Sequence, residues 1–262
     1  MKKLSFLLMA VAASLCVNAT DLKDLKIYIN PGHGGHDSDD RNVAVPPFAS
    51  GDPEGYWESN SNLSKGLSMR DLLEGFGVEV MMSRTTNTSE DDRDLGEIGV
   101  EATNFGADFF FSIHSNATGT GTRVTRPFML YRGETSNPRF AEAVDMSATL
   151  NDQLLENRVT SWSSETPWLA GDLTFYAGQW EGGLGVLRQL WVPGLLSEGA
   201  DHDYIPETYR LLNDDFCWLE AYHFTKAIME HFQTSEKYST GVVAGTVTDD
   251  HQERTDDIYN GI

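Results

Sequence analysis

Three polar residues stand where the sequence interrupts an apolar run, and a fourth opens a helix after a loop. His33 follows Ile27-Tyr28-Ile29 and lies between glycines in residues 27–37, IYINPGHGGHD. His114 closes DFFFSIH (108–114), and Glu198 closes VPGLLSE (192–198). If each run is a strand of one open sheet, all three residues reach the same rim, because ligands of open α/β sheets bind at the carboxyl ends of strands. Glu58 opens an amphipathic stretch after a long loop, and a helix that starts near the rim brings its first turn there too. Two imidazole nitrogens and a carboxylate oxygen, with a fourth position left to water, form the usual ligand set of a catalytic zinc. The glycines around His33 are expected to turn the backbone sharply and leave the imidazole open to a metal and a bulky substrate.

Each residue also has a plainer reading. A histidine in a Gly-rich loop is usually a solvated turn residue. Glu58 suits the positive end of a helix, and Glu198 could be a cap or an ion-paired carboxylate. His114 is harder to dismiss, since a core strand seldom ends on an imidazole whose nitrogens lack partners. The candidate ligands are far apart in the chain and share no short motif of the His-Glu-x-x-His kind.

The elements that must position them alternate. Strands are expected at residues 25–29, 78–82, 108–114, 128–131 and 192–198, and helices at 59–76, 91–105, 138–157 and 206–232. The run Phe109-Phe110-Phe111 suits a strand buried on both faces. The alternation predicts an α/β fold, a three-layer α/β/α sandwich around a mostly parallel mixed sheet of about six strands. Residues 37–57 read as loop. Residues 158–183 hold Trp162, Trp168 and Trp180 without a clean period and either pack or line a groove.

Composition narrows the class. The formal net charge is −21 with no basic cluster, which argues against nucleic acid and anionic lipid as partners. Met1-Lys2-Lys3, a short apolar run and Val17-Asn18-Ala19 have the pattern of a secretory signal peptide over residues 1–19, so export to the periplasm or cell surface is expected. The apolar run is too short to span a bilayer. Cys16 leaves with the leader, although a lipoprotein box at Cys16 stays open. The remaining cysteine, Cys217, sits in an apolar run and reads as a small buried hydrophobe. From Thr234 the chain turns polar, so residues 20–233 read as the catalytic domain. Residues 234–262 read as a linker and tail, with GVVAGTVTD resembling the first strand of a β-sandwich module.

INPGHGGHD, Glu58 with Asn62-Leu63, SRT at 83–85, ADFFFSIHSNA at 107–117, GLGVLRQLWVPGLLSEGA at 183–200 and PETYRLLND at 206–214 occur in this order. Over residues 25–233 that order resembles the zinc-dependent N-acetylmuramoyl-L-alanine amidases of the amidase-3 type. The resemblance implies one zinc per chain held by His33, Glu58 and His114, with Glu198 catalytic. It also implies hydrolysis of the amide between muramic acid and L-alanine, with peptidoglycan strands and stem peptides as partners. A monomer is expected, and Asn116 is expected to orient the ligands. The departures are Asn30 where the family usually has Asp, Ile98 for Arg, and Gly199-Ala200-Asp201-His202 after the glutamate. The long segment before Glu58 leaves Glu54 as an alternative third ligand. A non-catalytic wall-binding module and a zinc peptidase or deacetylase are the competing functions.

Overall fold

The computed structural model describes residues 20–121, 127–159 and 168–243. The expected signal peptide, Cys16, Trp162 and the tail from residue 244 lie outside the described residues. Six strands form one sheet: β1 (Lys26–Pro31), β2 (Glu79–Met82), β3 (Phe109–Asn116), β4 (Phe128–Tyr131), β5 (Trp168–Gly171) and β6 (Gly194–Asp201). Their spatial order is β2-β1-β3-β6-β4-β5. The first four of that order run parallel, β4 is antiparallel to β6, and β5 is parallel to β4. The sheet is therefore mixed and mostly parallel, as expected.

Period-two side chains feed two different cores. On one face Ile27, Ile29, Phe109, Phe111, Ile113 and Leu195 pack under α1 (Glu58–Glu74), α3 (Ala141–Glu156) and α7 (Asp214–His231). On the other, Tyr28, Phe110, Leu130 and Leu196 pack under α2 (Leu95–Phe105) and the short α5 (Gly185–Arg188). Those two faces make the three-layer sandwich. Asn30 uses both ends of its amide between the layers: it donates to Ser112 Oγ and accepts from Ser83 Oγ, both at 2.8 Å. An ionised Asp could not donate.

Several boundaries differ from the sequence reading. Residues 168–171 form an edge strand, and α4 (Asp172–Phe175) follows it directly. The closing helix is two helices, α6 (Ile205–Leu211) and α7, because the Asn213 side chain accepts from Asp215 N and Phe216 N and starts a new helix. Lys65 of α1 and Glu220 of α7 form a fully buried ion pair at 2.7 Å. Cys217 is buried, as its apolar neighbours predict.

The compact body also extends past Gln233. Thr234 is buried, Ser235 N donates to Thr20 O at 3.2 Å, and Leu22 N donates to Glu236 Oε2 at 3.1 Å. Tyr238 packs edge-on against Phe76 and beside Tyr222. Truncation after Gln233 removes a half-buried aromatic ring and these hydrogen bonds, a loss of about 2 kcal/mol. Thermal unfolding should then show a melting temperature lower by roughly 4–8 °C. Truncation after Gly241 should leave it unchanged; equal melting temperatures for both would show that residues 234–240 contribute nothing.

Candidate metal centre

The loop after β1 is held by Arg84, a buried side chain. Its Nε donates to Pro31 O at 2.9 Å, and its Nη2 donates to Gly32 O at 2.9 Å and Ser59 O at 2.8 Å. His33 itself adopts a left-handed backbone with φ of 62°, a strained conformation for a residue with a Cβ. Gly35, with φ of 69°, supplies the sharp turn expected of the glycines, but the open space expected beside them is absent. A Cβ on Gly32 would lie 2.1 Å from the His114 ring, and one on Gly34 would lie 2.4 Å from the Asp91–Asp92 backbone. Protein atoms fill the space that seemed reserved for substrate.

Glu58 reaches the same place by a ribbon. Asn42–Val43 pairs with Tyr56–Trp57, and Glu58 N donates to Arg41 O at 2.8 Å. Asp40 then accepts from Ser59 N at 3.0 Å and Ser59 Oγ at 2.5 Å, fixing the first turn of α1. Glu54 is exposed, and its N–H donates to Asp52 Oδ1; the structure brings Glu58 to the histidines. His36 stacks on Trp57 at 4.2 Å and meets Asn60, away from the cluster.

The three expected ligands converge. Glu58 Oε2 lies 3.2 Å from His33 Nε2, and Glu58 Oε1 lies 3.2 Å from His114 Nδ1. The donor atoms of the trio all lie within 4.8 Å of one another. Around a tetrahedral zinc with bonds of about 2.0–2.1 Å, ligand atoms stand about 3.3 Å apart, so the donor set and its spacing fit that ion. His33 Nδ1 faces Asp39 Oδ1 at 3.6 Å, the kind of outer carboxylate that orients a ligating imidazole. Glu198 pairs with His114 across β3 and β6 and lies on the same face of the sheet. Together with His202, Tyr176 and Trp180 these residues line one cavity of about 720 Å³.

Burial and neighbouring charge set the protonation states. Burial opposes charge on Glu58, but hydrogen bonds from both histidines hold it well below the usual carboxylate range. Burial opposes protonation of His33, yet the Glu58 hydrogen bond and charge outweigh it and carry the pKa up to about 9. Burial pushes His114 down. Burial, and then repulsion from Glu58, pushes Glu198 well above the ordinary value.

Sequence reasoning missed a second polar chain behind the cluster. Ser115 N donates to Glu58 Oε1 at 2.9 Å, while Ser115 Oγ meets Tyr56 OH at 2.7 Å and His202 Nδ1 at 3.0 Å. Asn116, nominated for that role, turns its amide oxygen to Ala117 N. The available signal was parity: Ser115 follows His114 by one along β3 and points to the opposite face, where Tyr56 stands. Of the tryptophans, Trp168 stacks on Phe128 in ordinary packing, whereas Trp180 is exposed at the cavity.

Residues 27–215 match the family described as N-acetylmuramoyl-L-alanine amidase. The sporulation-specific N-acetylmuramoyl-L-alanine amidase of Bacillus subtilis is 27% identical over 227 residues, 83% of this chain and 72% of that protein. The solved N-acetylmuramoyl-L-alanine amidase from Clostridium difficile 630 superposes with a TM-score of 0.61 at 19% identity, over 81% of this chain and 98% of that one. The CwlD amidase of Clostridioides difficile, solved in complex with the GerS lipoprotein, gives 0.61 at 18% identity over 80% and 98%. At these identities the structural likeness is one of fold.

Two outcomes check the geometry. Gly32→Ala should displace His114 and weaken zinc binding at least about tenfold in chelator competition, the scale seen when the groups that orient a ligand are disturbed; His36→Ala and Glu54→Ala should bind as the parent does, and Glu58→Ala should lose the metal. In chelator-treated protein, the stabilisation from His33 is complete below its ordinary pKa of about 6.5 and is lost as pH rises through about 9. The melting temperature of the parent should therefore fall over that window relative to His33→Ala; parallel curves would contradict the pairing.

Proposed function

The chain belongs to the N-acetylmuramoyl-L-alanine amidase family, and on that premise we propose that it works with zinc held by His33, Glu58 and His114, with Glu198 moving the protons. The reaction is hydrolysis of the amide between N-acetylmuramic acid and L-alanine in peptidoglycan. The observation that carries the zinc reading is the convergence of His33 Nε2, His114 Nδ1 and both Glu58 oxygens at 3.2 Å. When bound, zinc supplies Lewis acidity that polarises the scissile carbonyl and acidifies water, and its charge lowers the pKa of a neighbouring carboxylate.

The protein groups do the rest. Glu58 stays ionised through its two histidine contacts and Ser115 N–H. Glu198, neighbour to His114 on the next strand, accepts a proton from the attacking water on a carboxylate oxygen. It then delivers that proton to the departing nitrogen of L-alanine, so the C–N bond breaks with a neutral amine leaving. Its high intrinsic pKa suits the donating half of that cycle. The leader-like sequence of residues 1–19 supports action outside the cytoplasm. Among the described residues no helix is long and apolar enough to cross a membrane.

Purified peptidoglycan and mass analysis of the products test the reading. Glu198→Gln keeps size and much hydrogen bonding but cannot accept the proton. It should retain zinc while turnover falls by about 10²–10⁴-fold or more. Near-normal turnover would refute the proton-transfer role; release of products cut at another bond would favour a peptidase or deacetylase.

A further inference from the structure

The turn after α4 carries an exposed aromatic ring on a heavily braced backbone. Trp180 is 53% exposed. Its ring stacks on Tyr176 with centroids 4.2 Å apart and planes at 28°. Both line the cavity that holds His33, His114 and Glu198. Burial, and then the Glu198 charge, raise the Tyr176 hydroxyl to about 12, which agrees with its place on the catalytic side of the stack.

Three side chains fix the backbone beneath. Arg132 Nη1 donates to Gly182 O at 2.7 Å and Asp172 Oδ2 at 2.9 Å. Arg188 Nη2 donates to Glu181 O and Gly183 O, each at 3.2 Å. Asp172, fully buried, also accepts from Leu184 N at 3.0 Å and Gly133 N at 2.9 Å. Gly183 has φ of 72°, and a Cβ there would lie 2.3 Å from Asp172 Oδ2. The half of the indole left in water contributes nothing to folding. A rigidly presented aromatic face beside a catalytic cavity instead lowers the ordering cost of binding a ligand that has an apolar face of its own.

A pyranose ring has such a face. Its axial C–H bonds direct partial positive charge at the negative face of an aromatic π system. Asp39, Arg41, Asp92 and Arg93 make part of the cavity wall polar and suit the amides and charges of a peptide. Resting on the amidase reading, we infer that the Tyr176–Trp180 stack is a saccharide platform that seats the sugar side of the scissile amide, with the stem peptide along the polar wall.

The test is kinetic, on soluble disaccharide-peptide fragments of peptidoglycan with the zinc-loaded full chain. Trp180→Ala should raise KM about tenfold or more, leave kcat within about threefold and keep zinc content, and Trp180→Phe should restore most of the KM. Free glycan oligomers lacking peptide should inhibit the parent and lose that effect on Trp180→Ala. An unchanged KM with an active parent overturns the platform alone. So does Trp180-dependent competition by free stem peptide in place of glycan. A parent that releases no product from these fragments overturns the amidase reading and the platform with it.

Discussion

Glu58 stands at the first turn of α1 with its carboxylate buried, facing one imidazole with each oxygen and receiving the Ser115 N–H. A buried carboxylate without partners is strongly unfavourable, so the elements that supply its partners must stay in register. β1 must deliver His33, β3 must deliver His114 and Ser115, and the 42–57 ribbon must bring the start of α1 to the rim. Much of the local architecture reads as a consequence: Arg84 locks the His33 loop to the α1 backbone, and Gly32 is bare so that the His114 ring can lie against it. Asn62, one turn along the helix, spans Glu58 and the Gly32 carbonyl.

The same burial creates an asymmetry between two carboxylates in one cavity. Glu58 is held charged by its histidines, while Glu198, with no such partners, is pushed towards its neutral form. Two like charges in a low-dielectric pocket cannot both persist without compensation. A divalent cation held by the triad would resolve that conflict and make Glu198 a usable base.

The sequence was most legible where chemistry and strand ends coincide. His33, His114 and Glu198 could be picked out because each interrupts an apolar run, and a parallel sheet brings such interruptions to one edge. Glu58 could be proposed from its place at the start of a helix, but a first-turn glutamate is common and only the paired ribbon of residues 42–57 distinguishes it from Glu54. Residues 168–171 escaped notice because an edge strand four residues long lacks enough alternation to register. Asn213 was readable in principle, being a strong N-cap residue, but the apolar pattern on both sides ran through it. The glycines near His33 were misread because only the fold shows what occupies the space a side chain would take. Ser115, Tyr56 and His202 meet through tertiary contact, which no local pattern encodes.

The central claim is that zinc sits between His33, Glu58 and His114 while Glu198 stays free to move protons. Anomalous scattering at the zinc edge from crystals of the metal-loaded protein tests it most directly. The account predicts one strong site with two histidine nitrogens and a Glu58 oxygen at about 2.0–2.2 Å, and Glu198 outside bonding distance. A peak among Asp37, Asp39 and Asp92 with none at the histidines, or a zinc bound through Glu198 in place of Glu58, would contradict it.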